Sequence, residues 1–193
     1  LHLPKTQVGV EHACLSLAAM DALNITITRQ NTEKALNTVR AEGRQTLISS
    51  EQAILIDVAH NPASFHRLAH RLDTLNKAHT FDDIIVLIAM MKDKDIQASI
   101  TPLLPYVDHW LPAMFHHDRC LPASHLKSML KALGAKSVGD ADDVKSHLRH
   151  VRSLQTKKQL LVVCGSFLTI SVVKPWLDLT AEPSQHINTC SSC

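Results

Sequence analysis

At 193 residues the chain can form one full-sized domain plus an appendage, and its 45% hydrophobic content suits a packed core rather than a disordered segment. Aromatics make up only 4%, so the core must be built from Leu, Ile, Val, Ala and Met. The formal charge is +2, with Lys and Arg scattered among acids and no basic stripe interleaved with aromatics, which excludes a nucleic-acid binder. The longest apolar runs, 84–91 and 160–164, are strand-length and fall short of the roughly 20 residues of a membrane-spanning helix.

The chain shows no signal-peptide pattern, and it opens on Leu1 rather than Met, which predicts a fragment or a processed product. Residues 11–23, rich in Ala, Leu and Met, predict a helix. Thr28 is a predicted N-cap for a second helix reaching about residue 39, and 41–44 reads as a connection. Strands and helices then alternate. Strands are predicted at 53–58, 83–89, 107–111, 136–138 and 160–164, and helices at 62–75, 95–104, 123–133, 140–152 and 166–177. The polar tail, 180–193, lacks core formers and is predicted to be loosely ordered. Strands that are apolar throughout and separated by helices predict an α/β fold. Its sheet is expected to be mostly parallel and Rossmann-like, with helices on both faces and ligands bound beyond the carboxyl ends of the strands.

Three such strand ends carry chemistry. In Ile56-Asp57-Val58-Ala59-His60-Asn61-Pro62 a buried strand ends in an acid and a helix starts at once, with Asn61 fit to cap it and Pro62 to occupy its first position. Asp57 suits a ribose hydroxyl, and His60 can donate to a phosphate oxygen or move a proton. The alternative is that Asp57 and Asn61 only satisfy turn amides. Met91-Lys92-Asp93-Lys94-Asp95-Ile96 follows the next strand; its alternating charges line either a cleft or a solvated loop, and Asp95 is a good N-cap. In Val163-Cys164-Gly165-Ser166-Phe167-Leu168, Gly165 permits a tight turn and Ser166 offers a hydroxyl near a helix start. A hydrolase nucleophile elbow needs Gly two places to either side of the Ser; Cys164 and Leu168 stand there, which rejects that class.

The five cysteines, Cys14, Cys120, Cys164, Cys190 and Cys193, are few, odd in number and irregularly spaced, as expected of a reducing cytoplasm. His116, His117 and Cys120, or Cys190 and Cys193 with His186, lack the recurrent spacing of a four-ligand site, so no metal site is assigned to them.

Together and in this order, these segments resemble the folylpolyglutamate synthase/dihydrofolate synthase family, relatives of the Mur ligases. Residues 56–62 are similar to its D-[GV]-A-H-N-P motif, 90–96 to its M-x-x-D-K-D-I loop, and 164–167 to its final G-S-F turn. Gly43-Arg44 resembles the P-G-R-F segment leading into the last domain. The resemblance implies that 1–43 are closing helices of a central ATP-binding domain, 44–178 a Mur-ligase-type C-terminal α/β domain, and 179–193 a flexible tail. It implies a ligase that uses ATP to join L-glutamate to dihydropteroate or a folylpolyglutamate, working as a cytoplasmic monomer. ATP and Mg2+ would be gripped mainly by a P-loop, and this chain contains no G-x-x-x-x-G-K-[ST] sequence. Carried over by position, Arg44 and Asp57 are nucleotide contacts, His60 is catalytic, and Ser166, Asp93 and Lys94 lie toward substrate. His12 stands where many relatives place a nucleotide-contacting Asn; Glu42 replaces the usual Pro and Gln45 the usual Phe. A cell-wall Mur ligase, or a non-catalytic α/β binding module, is the competing expectation.

Overall fold

The computed structural model describes residues 9–39, 43–49, 52–78 and 81–177. The expectations for the tail, for Glu42 and for His186, Cys190 and Cys193 lie outside those residues. The chain divides into two compact units, Leu1–Glu42 and Gly43–Cys193.

The first unit holds α1 (Val10–Ala22) and α2 (Arg29–Thr38). Thr28 caps α2 as its residue type predicts, its side chain accepting from the Asn31 N–H at 3.2 Å. Helix α1 is apolar on several sides, yet Ala13 is its one buried residue among those described.

The second unit is a six-stranded sheet in the order β1-β2-β6-β3-β4-β5. Its strands are β1 (Thr46–Ser49), β2 (Ala53–Ile56), β3 (Asp83–Ile88), β4 (His109–Met114), β5 (Asp142–Asp143) and β6 (Gln159–Cys164). All pairings are parallel except β1 with β2, which is antiparallel with Leu47 opposite Leu55. The central strands alternate between two cores, as the two-residue strand period requires. Leu55, Val86, Ile88, Leu160 and Val162 face one core, which contains α3 (Pro62–Lys77), α4 (Ile96–Ile100) and α5 (Ala123–Ala132) through Phe65, Leu68, Leu72, Ile100 and Leu126. Ile54, Ile56, Leu87, Leu161 and Val163 face the other, with α6 (Val144–Leu154) and α7 (Phe167–Val173) through Leu148, Val151 and Ile170. The expected mostly parallel sheet with helices on both faces is what the chain forms.

Several boundaries differ from expectation, each for a physical reason. Strand β1 lies in a stretch for which no element is predicted: its four residues, T-L-I-S, carry little local signal, and pairing with β2 creates it. Strand β4 runs past the predicted end at 111, with Pro112 opposite Ile88, so the proline does not end the strand. At 136–138 only Val138 bridges to Trp110; the sheet instead closes with β5, where a helix was expected from 140. The helices predicted at 95–104 and 166–177 are each shorter and end in a 3-10 turn, Thr101–Leu103 and Lys174–Trp176. Pro102 and Pro175 lie in those turns, where a missing N–H and a fixed φ are tolerated but a continuing α-helix is not.

Candidate functional site

Because β2, β3, β4 and β6 run parallel, their carboxyl ends lie on one edge, and the three motifs meet there. Hydrogen bonds continue beyond the regular ladder and lace the ends together. The Asp57 N–H donates to Val163 O (3.0 Å), Gly165 N–H to Ala59 O (2.9 Å), and Ala89 N–H to Cys164 O (3.3 Å). Gly165 has φ +111°, and a Cβ placed there would sit 2.3 Å from Ala89 O. Only glycine allows the turn and lets β6 come this close to the end of β3.

Asn61 caps α3 in a reciprocal arrangement. Its Oδ1 accepts from the Ser64 N–H (2.9 Å), and Ser64 Oγ accepts from the Asn61 N–H (3.1 Å). Pro62 fills the first helical turn as predicted. The Asn61 part of the turn-amide reading is therefore met.

Asp57 is 6% exposed. Its Oδ1 accepts from the Ala59 N–H at 2.8 Å, so it too serves the turn. Burial pushes its carboxyl up from the usual 3.8 to about 6, against the opposing pull of the Ala59 and Gln45 N–H groups and of the Arg44 and Arg67 charges. The structure thus brings Arg44 and Asp57 to the same strand end. Arg44 itself is exposed. Its segment is joined to that end by the Val58 N–H, which donates to Gly43 O at 2.7 Å. Beneath lies Cys164, whose thiol is held protonated by burial and then by the Asp57 charge.

His60 is half-buried, with Nδ1 2.9 Å from Val58 O. A carbonyl only accepts, so Nδ1 carries the hydrogen and Nε2 is the ring nitrogen left for a ligand. The Phe167 ring lies 5.7 Å away at 49° and supports this orientation.

The remaining predicted residues fall into three situations. Asp93 stands between Arg119 (2.9 Å) and Lys94 (3.0 Å), both at its carboxylate, at the end of β3. Arg119, and secondarily Lys94, hold the Asp93 carboxyl down at about 2. Backbone bonds from Lys92 N–H to Arg119 O (2.9 Å) and from Leu121 N–H to Met90 O (2.8 Å) pin the two loops together. Ser166 is not aimed outward. It is 4% exposed, caps α7 by accepting from the Thr169 N–H (2.9 Å), and shares a 2.8 Å bond with Thr169 Oγ1, which in turn donates to Ala89 O (2.8 Å). His12 is an exposed residue of α1 in the first unit.

Sequence reasoning missed Arg67, Phe167 and Arg119 as members of this edge. Arg67 is one of several cations on α3, and Arg119 is 26 residues from its partner, so neither carries a local signal. Phe167, in sequence, reads only as part of a Gly-Ser turn. His117 Nδ1 accepts from the Arg119 N–H (3.1 Å), and Cys120 is buried with its Sγ 3.5 Å from the Phe115 N. Among the described residues no three His, Cys, Asp or Glu side chains converge as a metal cluster would need. None of the described helices is long and apolar enough to cross a membrane.

Comparison with known proteins agrees with the fold. Residues 43–167 match the family model for the Mur ligase glutamate ligase domain. A dihydrofolate synthase/folylpolyglutamate synthase of Buchnera aphidicola subsp. Acyrthosiphon pisum is 28% identical over 170 residues, 88% of this chain and 40% of that protein. The solved structure of Escherichia coli FolC in complex with DHPP and ADP superposes with a TM-score of 0.78 at 27% identity, covering 92% of this chain and 41% of that one. A bifunctional folylpolyglutamate synthase/dihydrofolate synthase solved with Mn, AMPPNP and L-glutamate gives 0.75 at 25% identity, covering 91% and 41%. The chain spans about two fifths of the length of the curated relative (40%). A parallel sheet whose laced carboxyl edge carries the acid, guanidinium and imidazole, and a family match over most of that sheet, place this chain in the Mur ligase family, as its glutamate ligase domain.

Proposed function

We propose that this chain is the C-terminal part of an ATP-dependent ligase that adds L-glutamate to dihydropteroate or a folylpolyglutamate, with residues 1–43 the closing helices of its ATP-binding domain. The observation that carries the reading is the convergence of Arg44, Asp57 and His60 at one strand end, in a chain similar to enzymes named for that chemistry.

A carboxylate does not accept an amine at neutral pH, because its leaving group is poor. Transfer of the ATP γ-phosphoryl group to the carboxylate forms an acyl phosphate and ADP; the glutamate amine attacks the acyl carbon, and inorganic phosphate leaves with the C–O bond broken. The protein's work is positioning and charge neutralisation. Arg44 places an exposed guanidinium where phosphate oxygens can meet it. Asp57 accepts from the nucleotide and anchors the segment bearing Arg44. His60, through Nε2, assists beside the transferred group. Asp93 and Lys94 line the substrate side. Ser166 reaches substrate only through the turn it caps, because its hydroxyl is spent on Thr169. His12 would meet the adenine in place of the usual Asn.

The described residues do not fit a complete Mg2+ site, since no metal-ligating cluster of three forms among them. The ion would be held mainly by the region outside this chain. The whole enzyme is proposed to be a cytoplasmic monomer.

The test is an assay of the longer protein that includes the preceding region, with ATP, L-glutamate and either dihydropteroate or a UDP-linked cell-wall precursor. Ligation of glutamate to dihydropteroate is expected. Arg44→Ala should lower kcat/KM by about 100-fold, the usual size for a preorganised charge on a phosphoryl group. Turnover of the UDP-linked precursor alone would favour the cell-wall ligase, and no ATP-dependent ligation would favour the binding module. The 193-residue chain by itself should bind nucleotide weakly and ligate nothing; glutamate ligation by it alone contradicts the proposal.

A further inference from the structure

The segment 43–45 contains two left-handed residues, Gly43 at φ +72° and Gln45 at φ +45°. Glycine adopts that region freely, whereas glutamine does so at a steric penalty. Such a residue persists only when its surroundings over-determine it. Here they do. The Gly43 carbonyl accepts from the Val58 N–H at 2.7 Å. The Gln45 side-chain amide donates to Arg67 O on α3 at 3.3 Å, spanning 22 residues of sequence. The Gln45 backbone N–H is directed to the Asp57 carboxylate. Gly43 is also enclosed, since a Cβ there would lie 3.0 Å from Val58 Cγ1 and 3.5 Å from Ile170 Cγ2. Arg44 lies between these tethered neighbours and is itself exposed. Its backbone direction is consequently set by residues on either side, one bound to the strand end and one to α3.

We propose that Gln45 is a positioning residue: its left-handed backbone and its amide bond to α3 fix the direction in which Arg44 leaves the β2 end. Gln45 does not touch substrate in this role. It acts through Arg44, and Arg67 serves through its main-chain carbonyl as well as its charge. The charged and titratable groups at the Asp57 end of the strand are Arg44, Arg67, Cys164 and, three residues on, His60. A displaced Arg44 therefore registers at Asp57, because the nearby guanidinium favours the ionised carboxylate. The inference rests on the proposed ligase reading for its catalytic consequence, though not for this structural readout.

Gln45→Gly is the decisive variant, since it relieves the left-handed strain while removing the amide tether. In the 193-residue chain, Tm should stay the same or rise, and the Asp57 carboxyl midpoint, followed by NMR, should move upward as it does in Arg44→Ala. Gln45→Ala, which keeps the strain and loses the tether, should show the same Asp57 movement with a lower Tm. In the longer protein, Gln45→Gly should raise KM for ATP by about five- to tenfold, the effect of one lost hydrogen bond, with kcat within about twofold. An unchanged Asp57 midpoint in Gln45→Gly overturns the positioning role whatever the activity does. An unchanged KM in a protein that ligates also overturns it and leaves the ligase reading standing. Absence of ligation in the wild-type longer protein sinks the ligase reading alone, because the Asp57 titration still decides the role of Gln45.

Discussion

Asp57 and Gly165 are the two residues on which the candidate site depends most directly, and both act through close packing. The folded Asp57 carboxyl lies near 6, above its ordinary 3.8, because burial outweighs the cations facing it. A raised folded value means that the native state binds the proton more tightly than the unfolded chain does. The stabilisation is complete below about pH 4 and is lost as pH rises through about 6, where the folded group must ionise. Replacing Asp57 by Asn removes that dependence. Urea unfolding across pH should show the wild type losing about 2–3 kcal/mol relative to Asp57→Asn between pH 4 and pH 7. Parallel stability profiles would show that Asp57 ionises without penalty. At Gly165 the conflict is steric, with a Cβ 2.3 Å from Ala89 O and a φ of +111°. Gly165→Ala should lower the unfolding free energy by about 3 kcal/mol or more, measured by denaturant titration.

At the scale of elements, the helix that follows the Asp57 strand end owes its start to local chemistry. Asn61, Pro62 and Ser64 form a complete N-terminal cap from residues adjacent in sequence. Asn61→Ala should cost about 1–2 kcal/mol, read by thermal or chemical unfolding, while Asn61→Ser, another good cap, should recover most of it. An Ala variant as stable as the wild type would mean that packing of Phe65, Leu68 and Leu72 alone sets the start of α3. The loop after β3 is held differently, by exposed ion pairs. Arg119→Ala should leave Tm unaltered, since exposed pairs contribute little, but should move the Asp93 carboxyl from about 2 toward the ordinary range. If Asp93 does not respond in an NMR titration, Lys94 rather than Arg119 is its main partner. Element-scale legibility followed the same division. Caps at Thr28, Asn61 and Asp95 could be read from residue type, and all three side chains accept the backbone N–H expected of them. The β1 and β5 strands could not, because four and two residues carry no usable periodicity.

Across the whole molecule, apolar strands in a strand-helix alternation determined the parallel sheet. Residues buried on both faces cannot show an in-out alternation, and only helices packed on each side can cover them. Three polar motifs at the ends of those strands likewise marked the functional edge, since parallel strands deliver their carboxyl ends to one side. Residue type and order were sufficient for this much. The tertiary structure alone decided which polar groups face outward at that edge. It turned Ser166 inward onto Thr169, although the same Gly-Ser turn equally suits an exposed hydroxyl. It brought Arg67 and Gln45 to Asp57 and paired Arg119 with Asp93 across 26 residues. Such pairings depend on where separate elements cross in space. Local propensity acts over one turn or one strand, so it contains no information about them.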